Sequence, residues 1–311
     1  MQSVIRLRSR PRPVVWITVL GLLLGSLAAR AARAATPLRV AYAGSMGTVM
    51  DQQLGPAFAK ANGVEFQGIG QAAYALAHLL ESKQMQADVF VSVTSGPMRI
   101  LLKDGLVREA PPVAGTQMAL AYSPQSRFAK SFAGKQAWYE VLESPGLRFG
   151  RTDPATDPQG RNVIFTLMLA ERYYHAPGLA EKILGPLRNS AQLFAEPSLL
   201  TRLEAGQIDA TVGYLSAIKS EHLPFVELPP EINLSNPADF DAWYSKASFT
   251  LSADGKTTTA RPEPLVFYAA VLANAAHPEM ARKFVRYLAG PEGQRILRES
   301  GYDPPVGPTL R

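Results

Sequence analysis

The sequence predicts an α/β protein of two units, on three observations. Short β-prone runs alternate with amphipathic helical stretches from Leu38 to Tyr122. After a polar stretch at 123–135 the alternation begins again and continues to Tyr214. A continuous apolar run, Leu265 to Ala273, then leads into two closing helices. At 311 residues the chain is long enough to bury two cores.

Taken in order, a strand over Leu38–Ala43 precedes an amphipathic stretch carrying Val49, Leu54 and Phe58. A strand at Val64–Phe66, a helix from about Gln71 to Lys83, a strand at Asp88–Val93, a helix near Pro97–Asp104 and a strand at Gln117–Tyr122 complete the first βαβ rhythm. The second unit opens with a strand at Leu147–Gly150 and a helix at Pro158–Tyr174. Asp157 can cap that helix, Pro158 suits its first turn, and Val163, Leu167, Ala170 and Tyr174 recur on one face. A helix at Leu199–Ala205 and a strand at Ile208–Tyr214 follow. The stretch Ser235–Pro264 lacks periodicity and holds Asn236-Pro237 and Ala253-Asp254-Gly255-Lys256, the marks of a surface loop or hairpin with a tight turn. Leu265–Ala273 suits a buried strand, and helices at Pro278–Leu288 and Pro291–Ser300 flank Gly290.

Charge is concentrated at one end. Of 32 Lys and Arg, six (Arg6, Arg8, Arg10, Arg12, Arg30 and Arg33) lie before residue 35 with no acidic residue among them, which leaves 26 basic against 26 acidic groups beyond. A body without net charge offers no overall basic field, which argues against a nucleic-acid partner. Four of those arginines precede an apolar run of about 16 residues, Val14 to Ala29, short of the roughly 20 that span a bilayer, and Ala32-Arg33-Ala34 follows as a cleavage pattern. Residues 1–34 therefore read as a secretory signal peptide cut after Ala34 or Ala35. The arginines are never adjacent, against a twin-arginine signal, and with no cysteine there is neither a lipid anchor nor a disulfide.

Familiar catalytic chemistry is absent. His78, His175, His222 and His277 are scattered, no zinc or thiolate spacing exists, and no G-x-S-x-G elbow occurs. Gly68-Ile69-Gly70-Gln71-Ala72-Ala73 fits G-x-G-x-x-A between a strand and a helix, but it lies outside the first βα unit and Asp88 precedes a strand instead of ending one. A tight turn before a helix explains it better than a dinucleotide. Two loops remain, Ala43-Gly44-Ser45-Met46-Gly47 and Ser92-Val93-Thr94-Ser95-Gly96. Each follows a strand and opens a helix, so each can aim backbone N–H groups and hydroxyls at an anion, or use its serine as a helix cap.

These loops belong to an ordered set: Leu38 to Ser45, Ala87 to Ser92, Gly150 to Gly160 with Asp157-Pro158-Gln159-Gly160, Gly206 to Ala210 with Gly213-Tyr214, Glu227 to Leu234, and Pro291-Glu292-Gly293-Gln294. The set resembles the periplasmic molybdate/tungstate-binding proteins of ABC transporters, closest to their tungstate-type branch. The resemblance implies a type II periplasmic-binding-protein fold, two α/β lobes joined by crossing strands, with lobe I as 36–118 plus 265–311 and lobe II as 119–264. It also implies that Ser45 and Ser92 donate to the oxyanion, that Asp157 holds the position of the family carboxylate, and that Tyr214 donates its phenol or serves as a core tyrosine. The branch has a glutamate three residues after that tyrosine, where this chain has Ala217.

The expected function is that of an exported monomer which captures a tetrahedral molybdate or tungstate and delivers it to an ABC permease, without catalysis, cofactor or resident metal. Sulfate, phosphate or a small organic acid is the alternative ligand, and a hydrolase using Asp153 and Asp157 is the rival of another class. With Ala217 in place of the glutamate, Asp157 stands as a lone carboxylate that cannot complete six-coordination. It is therefore expected to act chiefly as the cap of the following helix.

Overall fold

The computed structural model describes residues 37–253 and 256–311. The expected signal peptide lies outside the described residues. Among the described residues there are ten strands: β1 Pro37–Ala43, β2 Glu65–Gln71, β3 Val89–Val93, β4 Pro112–Gly115, β5 Met118–Tyr122, β6 Ala210–Tyr214, β7 Phe225–Glu227, β8 Phe249–Ala253, β9 Lys256–Ala260 and β10 Val266–Val271. One sheet has the order β2-β1-β3-β10-β4, a second the order β6-β5-β7, and β8-β9 forms a hairpin. β1 runs parallel to β2 and β3, while β10 enters antiparallel between β3 and β4.

Every residue of β3 is buried, as is Val266–Ala270 of β10, because helices cover both faces of this sheet. Such central strands read as near-continuous apolar runs, broken in β3 only by Ser92, which is why both were visible in the sequence. Phe284 of the Pro278–Ala289 helix packs edge-on to Phe58 with ring centroids 5.0 Å apart. In the second sheet β5 runs antiparallel to both neighbours, and the Pro158–Tyr173 helix packs beside it. The chain passes between the sheets at 116–117 and returns at 261–265.

Sheet polarity positions the site. The carboxyl ends of β1 and β3 lie at one edge, and β10, being antiparallel, begins there: Phe267 pairs with Val93, and Val266 accepts the Thr94 N–H at 2.9 Å. Residues just before β10 therefore land beside the loop that follows β3.

Two expectations are corrected. The strand expected at Leu147–Gly150 shrinks to a single parallel bridge between Phe149 and Ala210, where the Gly150 N–H meets the Ala210 carbonyl at 3.0 Å. Gly68 and Gly70 lie inside β2, not in a turn after it. Tyr42 from β1 packs over them: a Cβ on either glycine would come within 2.7 Å of the tyrosine ring or its hydroxyl. The glycines make room for an aromatic side chain, and the dinucleotide fingerprint disappears. The irregular excursion contains short 3₁₀ turns and the β8-β9 hairpin.

Candidate functional site

A cavity of about 420 Å³ opens between the lobes, walled on one side by Tyr42, Ser45 and Asp51 and on the other by Glu196, Tyr214 and Glu221. No Lys, Arg or His among the described residues lines it. Its floor is the loop after β1, where a continuous helical run from Gly44 to Asn62 begins with N–H groups that have no acceptor within the helix itself. Within that run Met50–Leu54 is a π turn, a rare form that often marks functional positions, and it presents Asp51 to the Tyr42 hydroxyl at 2.6 Å.

The N–H groups of Gly44 and Ser45 donate to the two oxygens of one carboxylate, Glu196, at 2.9 and 3.0 Å. Glu196 opens the Glu196–Glu204 helix of the opposite lobe and is only 8% exposed. Glycine at 44 is required by this approach, since a Cβ there would lie 2.7 Å from Glu196 Oε2. Ser45 Oγ lies buried beside the carboxylate without a well-formed hydrogen bond to any described residue. Other contacts also join the lobes: at the cavity Thr48 Oγ1 donates to Glu221 and Ser220 Oγ donates to the Ser300 carbonyl at 3.1 Å, and away from it the Ala75 N–H donates to the Thr156 carbonyl at 3.2 Å.

Behind Glu196 lies Asp157. Its Oδ1 accepts the Gln159 N–H at 2.9 Å and so caps the Pro158–Tyr173 helix, while the buried Oδ2 makes no well-formed hydrogen bond among the described residues. Burial pushes the Asp157 carboxyl up to about 6, against the pull of the Gln159 N–H. Burial, and after it the charge of Asp157, pushes Glu196 well above the usual carboxylate range in spite of its two N–H donors. Tyr214 ends β6 at 1% exposure and accepts the Asn162 side-chain amide at 3.1 Å, and burial raises its phenol as well.

Of the four residues singled out in the sequence, Ser45 and Tyr214 line this cavity and Asp157 stands just behind it. Ser92 takes a different place. It is fully buried in β3 with its Oγ turned to the Val93 and Thr94 carbonyls, both at 3.1 Å. The strand continues to Val93 and the helix starts at Ser95, so the pleat turns Ser92 inward and the helix-start position falls to Ser95. The Ser95 N–H and hydroxyl both donate to Glu263 Oε2, at 2.8 and 2.6 Å. Asp157 is not a lone carboxylate either, because Glu196 stands beside it. Nothing local marked Glu196, which reads as a first-turn acid of a surface helix and meets Gly44 from 152 residues away. As for the rival acid pair, Asp153 accepts the Ala155 N–H and pairs with Arg188 at 2.6 Å, so both aspartates hold turns in place.

Residues 38–303 match the family of bacterial extracellular solute-binding proteins. The chain belongs to this family. This solute-binding protein is 30% identical over 216 residues to the molybdate/tungstate-binding protein WtpA of Thermococcus kodakarensis, covering 62% of this chain and 60% of that protein. An uncharacterized solute-binding protein of Petrotoga mobilis is 32% identical over 201 residues, covering 62% and 61%. The chain thus spans about three fifths of the length of these curated relatives. Among solved structures, the Azotobacter vinelandii periplasmic molybdate-binding protein aligns with a TM-score of 0.60 at 18% identity, over 87% of this chain and 99% of that one. The Mycobacterium tuberculosis sulfate-binding protein SubI gives 0.54 at 14% identity, over 86% and 87%. The fold is the type II periplasmic-binding-protein fold, two α/β lobes about a cleft.

Proposed function

We propose that this solute-binding protein captures a tetrahedral oxyanion, molybdate or tungstate, in the interlobe cavity and presents it to an ABC permease. The observation that carries the reading is the carboxyl group of Glu196 seated with both oxygens on the Gly44 and Ser45 N–H groups: these donors already hold two oxygens of one group, at the start of a helical run whose dipole favours negative charge. WtpA of Thermococcus kodakarensis, named for molybdate and tungstate, supports the choice of ligand. In this reading the Gly44 and Ser45 N–H groups, the Ser45 hydroxyl and the Tyr214 phenol are the donors. Charge-assisted hydrogen bonds of this kind contribute about 1.5–3 kcal/mol each where water is excluded. Asp157 caps its helix behind the ligand.

The protein is proposed to work as a periplasmic monomer after cleavage near Ala34. Its lobes are proposed to be bounded as 36–118 with 265–311 and as 119–264, and to close by a hinge motion at the crossing segments. A thermal-shift panel of molybdate, tungstate, sulfate, phosphate and citrate tests the reading. Ligand at 100 times its dissociation constant stabilises by about 2.7 kcal/mol, a shift easily read in a melting curve. Molybdate or tungstate should give the largest shift; a sulfate or phosphate shift at least as large would overturn the choice of anion.

A further inference from the structure

The donors assigned to the ligand are held by the protein's own carboxylate. Glu196 comes from one lobe and meets two backbone N–H groups of the other with both oxygens, at 2.9 and 3.0 Å, in the bidentate geometry an oxyanion edge would adopt. Its setting is that of a displaceable group. Among the described residues no Lys, Arg or His lines the cavity to hold it, and Asp157 stands behind it as a second carboxylate, while the Ser45 hydroxyl lies buried beside it. The cavity in front of it has room for the side chain to swing.

We infer that Glu196 is a tethered surrogate anion, which holds the two lobes together through the Gly44 and Ser45 N–H groups and must leave them before an oxyanion can bind. Resting on the function proposed above, this makes Glu196 the residue that sets the affinity threshold of the cleft. Apparent affinity falls by the fraction of molecules whose donors are free. If Glu196 holds its seat in more than about nine molecules in ten, removing it tightens binding about tenfold or more. The side chain is an intramolecular competitor, so its grip is independent of protein concentration.

Two variants test this in the full-length mature chain, Glu196→Ala and Glu196→Gln, with Glu263→Gln as a control on the second helix start. Titration calorimetry with molybdate and with tungstate gives affinity, melting curves establish that each variant is folded, and small-angle scattering without added anion reports lobe closure. Glu196→Ala should bind about tenfold tighter or better, Glu196→Gln should fall between it and the parent, Glu263→Gln should match the parent, and Glu196→Ala should show the larger radius of gyration. Binding that is unchanged or weaker in folded Glu196→Ala overturns the inference, and a weaker result makes Glu196 part of the ligand's own binding set. If no variant binds either oxyanion, the functional reading fails, and scattering still decides the tether: an unchanged radius in Glu196→Ala removes it.

Discussion

The two helix starts at the carboxyl edge of the first sheet carry the same chemistry and differ in what surrounds it. At the loop after β1, Glu196 accepts from the Gly44 and Ser45 N–H groups; at the loop after β3, Glu263 accepts from the Ser95 N–H and hydroxyl. Beyond the first seat lies a cavity of about 420 Å³, whereas the space by Thr94 and Glu263 is about 20 Å³, roughly one water. A cation network also ties down the second seat, where Arg99 donates to the same Ser95 hydroxyl at 2.9 Å. Two glutamates in like positions therefore serve different ends: Glu263 completes the structure, and Glu196 stands where a ligand can replace it. Space and counter-charge decide this, not the helix start itself.

Four substitutions sharpen or break that contrast. Asp157→Asn has the largest expected effect, because it removes a charge that burial disfavours while keeping the capping oxygen. The folded carboxyl holds its proton up to about 6, against an ordinary 3.8, so its contribution is fully present below about pH 4 and is lost as pH rises through about 6. Asp157→Asn should accordingly match the parent near pH 4 and exceed it by up to about 3 kcal/mol above pH 7. Melting temperatures across that range decide it, and a variant less stable than its parent at pH 7 would show that the charge is needed.

Ser45→Ala comes next. It should weaken oxyanion binding by about 1–3 kcal/mol and change the melting temperature without anion much less, because the hydroxyl's contact with the Glu196 carboxyl falls short of a well-formed hydrogen bond. Ser95→Ala should behave in the opposite way, costing about 1–2 kcal/mol of stability through the lost bonds to Glu263 and Arg99 and leaving affinity intact. Ser92→Ala should be mildest, at about 1 kcal/mol or less of stability, since its hydroxyl serves only nearby carbonyls. Calorimetry paired with melting curves separates the three, and an affinity loss in Ser95→Ala or Ser92→Ala would erase the distinction between the loops.

Most of the fold was legible because its signals are local. β10 is an unbroken apolar run, β1 and β3 are apolar but for Arg39 and Ser92, and Asp157-Pro158 marks the long helix with a cap and a first-turn proline. Strand ends were less legible: β2 runs on through Gly68 and Gly70 because a tyrosine from β1 needs their space, a tertiary demand that no window of sequence contains. The same limit governs the site. Ser45 and Tyr214 sit at the ends of recognisable strands, and the loop motifs point to them. Ser92 lies inside β3, whose end at Val93 matches the expected one; the pleat turns its side chain inward, so the helix-start donors belong to Ser95. Glu196 and Glu263 reach their seats only through lobe contact and the antiparallel entry of β10, at separations of 152 and 168 residues.

The central claim is that an oxyanion takes the Gly44 and Ser45 N–H groups from Glu196. A crystal structure with tungstate, phased on the anomalous signal of the metal, tests it most directly. The metal should appear in the cavity between Ser45 and Tyr214, with tungstate oxygens on the Gly44 and Ser45 N–H groups and the Glu196 carboxylate swung off both. A metal peak elsewhere on the molecule, or one in the cavity with Glu196 still holding both N–H groups, would contradict the account.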